Sequence, residues 1–468
     1  MVGILVDEGK LDWKTPLGKL VPEYGIGDLT LVDLLSHRGG LPGLDALWLQ
    51  PRGVVGVGRG DALRLLRAEP PVYSVRSDFL YTNLTYEVAG QVIEKVSGES
   101  YADYLESRIL RPLGMDNTYY ISTNKDFPNR AKPYACLQDM SQVEIDWPLT
   151  GANIALGPAG GIRSSVRDLL TLYKAFIEAA NGEFGEGKNK WEGIESNYNP
   201  LKQLSTLWHP MMSLPPTSLR EHSYALGWCR AQLPQALGLP GSEYITVGQG
   251  SPSRTILYHE GRIPGFFAFT ALLPETSSAV VVLSNGTGMA VVTKIIGALL
   301  IDTILGTPQL DPQKFLEKAS IQAERGAEAA SRLFSTVREG RTVDKPARDL
   351  EAYAGTYHHP LIQFSIRIFV SGENLKAAFR CGETDVEIVE LQPYGLDSFF
   401  WQMEHDEIAR AARVMWPPQH YILRFEIPED QSEDSGKGMC EGYKERRLRW
   451  RFDLSLPPDG EAFCTRSG

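Results

Sequence analysis

Two short segments carry residue types able to handle protons and carbonyl groups. The first, Tyr81-Thr82-Asn83, lies between an extended-looking stretch and a helix expected to start near Thr85. That places it on a loop at a helix N-terminus, where side chains are well presented. A tyrosine there acts as a base only if nearby cations lower its ordinary pKa of about 10, and an amide two residues on can orient a substrate carbonyl. The competing reading is an aromatic packing residue followed by a helix-capping asparagine. The second segment, His259-Glu260-Gly261, follows the run Thr255-Ile256-Leu257-Tyr258 and precedes Pro264-Gly265. A glycine at such a strand end lets a ligand approach the backbone closely. Its competing reading is a polar turn with His259 simply solvated.

Other clusters point away from chemistry. Gly157-Pro158-Ala159-Gly160-Gly161 lacks the lysine of a phosphate loop, and Ser164 or Ser165 reads as the N-cap of the helix that follows. Gly56-Val57-Gly58-Arg59-Gly60 fails the dinucleotide spacing. There is no GxSxG elbow and no HExxH, and His358-His359 reads as a solvated pair. Cys136, Cys229, Cys381, Cys440 and Cys464 are scattered without CxxC spacing, so neither a zinc site nor a disulfide framework is signalled. No metal or cofactor is expected, and the cysteine usage fits a reducing compartment.

The elements that position these residues follow from periodicity. Residues 1 to about 120 read as mainly helical, for example 86–113, where apolar residues recur at helical spacing around the turn Ser97-Gly98. Residues 121–160 lack a period, a helix is expected over 165–179, and 181–214 read as a polar surface insertion. Short runs at 255–258, 266–273 and 279–283 predict adjacent antiparallel strands, closed by a helix over 291–305. The fold class is therefore α/β (α+β): an antiparallel sheet flanked by helices, with a mainly helical subdomain. Residues 308–345 read as a helix-prone connector, and strand-like runs at 364–370, 375–379, 386–391, 420–427 and 448–453 predict a small β-barrel over 346–468. The acidic tract 428–435 reads as a solvated hairpin loop.

With 468 residues, 43% hydrophobic and 22% charged, the chain has the composition of a globular protein of more than one domain. Its net charge of −11, with a single short basic cluster near 444–451, argues against nucleic acid as a partner. The first 13 residues are too short in apolar character for a signal peptide, and the apolar stretch 279–305 is broken by Asn285, Lys294 and Asp302. A cytoplasmic protein without a membrane span is expected.

Taken in order, these segments resemble the serine β-lactamase-like family of class C β-lactamases, D-alanyl-D-alanine carboxypeptidases and related esterases. The segments are Gly3 to Leu11, Leu34-Leu35-Ser36-His37-Arg38-Gly39-Gly40-Leu41-Pro42, Tyr81-Thr82-Asn83, Gly160-Gly161-Ile162, Tyr224-Ala225-Leu226-Gly227-Trp228 and His259-Glu260-Gly261. The resemblance covers roughly residues 1–305, giving a first domain over 1–307, and the C-terminal part more loosely resembles lipocalin-like barrels. It implies an acyl-enzyme in which Tyr81 is the general base or acid, Asn83 binds a substrate carbonyl, and His259 takes the place of the strand lysine. Gly261 would line the binding edge, and the Arg262 backbone N–H would complete the oxyanion hole. The substrate would be a small acyl or peptide-like molecule bearing an ester, amide or thioester.

The resemblance places the Ser-x-x-Lys nucleophile two to three helical turns, at about 3.6 residues each, before Met1. The chain is therefore expected to be N-terminally incomplete, or else a noncatalytic protein that binds in the same cleft. The one Ser-x-x-Lys present, Ser122-Thr123-Asn124-Lys125, falls in a loop and reads as chance.

Overall fold

Between residues 212 and 284 the β-branched and aromatic runs pair into a six-stranded antiparallel sheet. In the computed structural model, which describes residues 1–25, 27–121, 129–149, 154–184, 199–308, 310–427 and 446–465, its strands are β1 (Met212–Ser213), β2 (His222–Tyr224), β3 (Cys229–Gln232), β4 (Thr255–Ile263), β5 (Phe266–Leu273) and β6 (Ser278–Ser284). They lie in the order β6-β5-β4-β3-β2-β1; a separate two-stranded pair, Gln235–Leu237 with Ile245–Val247, intervenes in the chain between β3 and β4, and every other pairing joins strands consecutive in the chain. Such local pairing needs only short connections, and the β4–β5 hairpin turns on Pro264 and Gly265.

Alternation along the strands gives the sheet two apolar faces. Ile256, Tyr258, Phe269, Ala271, Leu273 and Val280 pack with Ile295, Ala298 and Ile301 of the helix Val292–Leu305. Leu257 and Leu272 pack with Tyr173, Ala175, Ile177 and Ala180 of the helix Val166–Phe184. Each fully buried aliphatic side chain contributes roughly 1.5–3 kcal/mol, so the layered order helix, sheet, helix follows from the alternation. A Cβ on Gly297 would stand 2.2 Å from Phe269 Cδ1, which shows how closely the first of these helices approaches the sheet.

Three further helices set the site: α1 (Val2–Asp7), α2 (Leu31–Leu35) and α3 (Leu84–Ser97). Thr30 caps α2 in a capping box with Asp33, and Gly98 at φ 75° ends α3 where the turn was expected. Ser165 Oγ accepts the Asp168 N–H at 3.2 Å, the cap read from the sequence.

The first compact unit comprises Met1–Leu41, Glu69–Tyr134 and Leu156–Glu324. The second comprises Pro42–Ala68, Ala135–Ala155 and Arg325–Gly468. Its centre is a closed barrel of eight antiparallel strands: β7 (Gly355–His358), β8 (Phe364–Ser371), β9 (Asn374–Cys381), β10 (Thr384–Gly395), β11 (Ser398–Phe400), β12 (Ile422–Glu426), β13 (Arg447–Trp450) and β14 (Glu461–Thr465). Strand β14 closes on β7 through Tyr357↔Thr465 and His358↔Cys464. An eight-stranded barrel is narrow enough for side chains to fill, and Tyr357, Phe364, Ile366, Phe379, Phe399, Leu423, Leu448, Trp450 and Phe463 are all buried. The earlier segments of this unit are tied to residues 405–412 by Arg52 N–H to Ala411 O (2.8 Å) and Gln138 N–H to Asp406 Oδ1 (2.7 Å).

The fold class expected from the sequence is the one observed, with four local corrections. Residues 199–214 are not a surface excursion: Leu201, Leu204, Trp208 and Leu214 are buried, because a few well-spaced apolar residues suffice where the window average is polar. His359 is not solvated but buried, with Nε2 2.6 Å from Glu461 Oε1. Strand β4 runs on to Ile263, so His259-Glu260-Gly261 lies within it rather than at its end. Cys464 is disulfide-bonded, although the cysteine spacing signalled no disulfide framework. The Ser122-Thr123-Asn124-Lys125 segment and the acidic tract 428–435 lie outside the described residues. Among the described residues no helix is long and apolar enough to cross a membrane, and no group of three His, Cys, Asp or Glu residues is placed to hold a metal ion.

Candidate active site

Tyr81 and Thr82 form the extended approach to α3, and Asn83 is its N-cap residue. The Asn83 side chain makes no capping hydrogen bond, so the capping reading of this residue does not hold. The approach is held by the turn after α2. Thr82 N–H donates to His37 Nδ1 (3.1 Å), Leu80 N–H to His37 O (2.9 Å), and Thr82 Oγ1 to Leu41 O (2.7 Å). That turn is fixed in its own right by Asp33, which is fully buried and accepts from Arg38 Nε (2.7 Å), Arg76 Nη2 (2.6 Å) and the Thr30 backbone (2.9 Å). Burial raises the Asp33 carboxyl, but these partners outweigh it and hold the group below its usual range. Gly40 has φ 70°, and a Cβ there would meet the Tyr73 carbonyl oxygen at 2.1 Å, so the motif can carry only glycine at this point.

On β4, alternation sends Glu260 and His259 to opposite faces. Glu260 reaches Lys294 on the helix Val292–Leu305 (2.7 Å), and Arg262, two residues on, joins it at Glu260 Oε2 (2.7 Å). Burial raises the Glu260 carboxyl, yet Lys294 and Arg262 together hold it ionised below its ordinary value. His259 turns toward the tyrosines. Its Nδ1 lies 2.6 Å from Glu260 O and donates to it, which leaves Nε2 to accept from Tyr224 OH at 3.0 Å. The Tyr81 and His259 rings are 6.4 Å apart, and His37 packs against Tyr81 at 4.2 Å and Tyr224 at 5.0 Å.

Burial decides the protonation of this cluster. Desolvation, with a smaller effect of His259, pushes His37 down to about 3. Burial also lowers His259, against the support of the Glu260 carbonyl, and raises the Tyr224 phenol well above its usual value. Both imidazoles are therefore neutral near pH 7, acceptors rather than cations.

The pairing of β4 with β3 ends at Tyr258↔Cys229, so from His259 to Ile263 the strand is paired on the β5 side alone. Gly261 is exposed on this open edge, and a Cβ there would touch only Ala268 Cβ at 3.5 Å. Packing does not demand the glycine. The structure thus sets the Tyr81 and His259 rings 6.4 Å apart, with Asn83 two residues from Tyr81 and with Gly261 and the Arg262 backbone along the edge beyond His259. The Arg262 side chain belongs to the Glu260 pair. Sequence reasoning gave no role to His37, Tyr224 or Lys294. The only signal for Lys294 was a lone cation in an apolar helix, and nothing local marks aromatic rings drawn from positions 79, 81, 86 and 224 as neighbours.

A family model described as Beta-lactamase matches residues 1–301. Unguisins hydrolase ungD of Aspergillus violaceofuscus is 28% identical over 381 residues, 75% of this chain and 61% of that protein. Unguisins hydrolase ungD' of Aspergillus campestris is 24% identical over 408 residues, covering 82% and 69%. The D-alanyl-D-alanine-carboxypeptidase/endopeptidase AmpH of Escherichia coli is 23% identical over 278 residues, covering 58% and 63%. The chain thus spans less than two thirds of the length of the first of these relatives and of AmpH.

Proposed function

The chain belongs to the β-lactamase family, and we propose that it is a serine hydrolase or acyltransferase acting on an ester, amide or thioester through an acyl-enzyme. The observation that carries this reading is the convergence of Tyr81 and His259 beside the open edge of β4. Among the three bond types, the names of the relatives, hydrolases and a carboxypeptidase/endopeptidase, favour an amide in a small peptide-like substrate.

In the proposed reaction a serine oxygen attacks the carbonyl carbon and its proton passes to the Tyr81 oxygen. The tetrahedral intermediate then expels the leaving group, which takes that proton from Tyr81. Water, or an acceptor amine or alcohol, releases the acyl group by the same steps in reverse. Asn83 holds the substrate carbonyl. Successive residues of an antiparallel ladder turn their peptide groups to alternate sides. The Glu260 carbonyl is turned to the His259 side chain, and Arg262 repeats that direction, which supports its N–H as the oxyanion donor.

The reading takes the nucleophile from a Ser-x-x-Lys on a helix that runs into α1 from its N-terminal side. One observation supports this: since both imidazoles are neutral, neither supplies the cation that a basic Tyr81 requires; the lysine would.

The test is to sequence the native transcript upstream of the Met1 codon and to treat its full product with a fluorophosphonate serine probe. An in-frame Ser-x-x-Lys whose serine is labelled is the expected result. A message that opens at Met1 and yields no labelled serine transfers the cleft to a noncatalytic role, holding an acyl or peptide-like ligand.

A further inference from the structure

We propose that His37 is the positioning residue of Tyr81: it fixes the peptide on both sides of the tyrosine and packs against its ring, so that the phenol meets the cleft in one orientation. The inference rests on the reading of Tyr81 as the residue that moves the proton. Its basis is a two-point clamp. The His37 carbonyl oxygen takes the N–H of Leu80 at 2.9 Å, and its Nδ1 takes the N–H of Thr82 at 3.1 Å, one residue before and one after Tyr81. Between these two bonds the Tyr81 ring lies over the imidazole, with centroids 4.2 Å apart and planes 34° from parallel.

Two features show that histidine is present for its Nδ1 acceptor rather than for bulk. A neutral imidazole that accepts at Nδ1 carries its proton on Nε2. That N–H is buried, in a residue 2% exposed, and among the described residues it has no hydrogen-bond partner. A phenylalanine would pack among Phe79, Tyr86 and Tyr224 without such an unpaired donor, so packing alone does not account for the residue. The backbone at His37 is also left-handed, with φ 55°, a conformation that glycine or asparagine adopts with less strain. It persists because the turn is tied on both flanks, by Ser36 Oγ to Val32 O (2.6 Å) and by Arg76 N–H to Arg38 O (2.8 Å).

The experiment uses the 468-residue chain labelled with 3-fluorotyrosine, the Tyr81 fluorine line being assigned by its loss in Tyr81→Phe. His37→Phe keeps a ring but removes the acceptor. It is expected to move or split the Tyr81 line and shift the pH at which that phenol titrates, while the lines of Tyr353 and Tyr357 stay in place. His37→Asn, which can accept the Thr82 N–H and tolerates a left-handed backbone, is expected to restore a single line. A Tyr81 line and titration unchanged in His37→Phe overturn the proposal. A second measurement needs no variant: nitrogen-15 shifts of the unmodified chain should show His37 with its proton on Nε2, and a proton on Nδ1 at pH 7 overturns the clamp. On a product that labels with the fluorophosphonate, His37→Phe should slow labelling between about ten- and a hundredfold, the scale of a misplaced catalytic group, and His37→Asn should recover most of it. A product that never labels defeats the hydrolase reading, and the fluorine signature then decides the positioning of Tyr81 by itself.

Discussion

His37 and His259 both lose basicity to burial, His37 down to about 3, and this has a sign that can be checked. Between pH 6.5 and about 3 the unfolded chain binds a proton at His37 that the native state does not, so stability is full above 6.5 and falls as the pH drops below it. For His37 alone the slope is on the order of 1.4 kcal/mol per pH unit. Thermal midpoints should be flat from pH 8 to 6.5 and decline toward pH 4, and His37→Asn should flatten that decline; an acid limb equally steep in the variant refutes the assignment. Two glycines separate structural from functional demand. Gly40→Ala, with a Cβ 2.1 Å from a carbonyl oxygen at positive φ, should destabilise the fold by more than about 1 kcal/mol. Gly261→Ala should leave stability within about 0.5 kcal/mol yet weaken substrate binding at the open edge, as urea titrations paired with labelling rates will show. At this scale the sequence singled out Tyr81, Asn83 and His259 through their neighbours in the chain. It did not disclose that the His259 imidazole is neutral, because protonation depends on burial by residues far away in sequence.

The elements matter through how they tie the 30–42 turn to the tyrosine. Asp33 is the hub, fully buried beneath Arg38 and Arg76 and serving also as the partner in the α2 capping box. Asp33→Ala removes a cap and leaves two cations, but their side chains are 21% and 49% exposed and can reach water. The expected cost is therefore roughly 2–4 kcal/mol, short of that for a fully buried orphan charge, to be read from urea denaturation. Most elements were legible because their period was strong: the helix expected over 291–305 is observed as Val292–Leu305, and the strand over 266–273 as Phe266–Leu273. Strand β4 was cut short in the sequence reading because His259-Glu260-Gly261 resembles a turn by composition. It continues because β5 pairs with it as far as Ile263↔Phe266 and because Glu260 has Lys294 to neutralise it.

At the scale of the molecule, chain order and compact unit do not coincide. Pro42–Ala68 and Ala135–Ala155 group with the barrel, through pairs such as His405 Nε2 to Cys136 O at 3.0 Å, contacts that no local pattern in the sequence signals. Each unit has its own core, so calorimetry should resolve two transitions. Asp33→Ala should lower one and leave the other in place; a single transition displaced as a whole contradicts the division. The acyl-enzyme is the step on which the proposed function depends. Its most direct test is the intact mass of the full product of the native transcript, quenched while it turns over an activated ester. One acyl group per chain, carried on the serine of a Ser-x-x-Lys and formed far more slowly in Tyr81→Phe, is the predicted result. Ester consumed with the protein mass unchanged at every quench time, or an adduct indifferent to Tyr81, contradicts it.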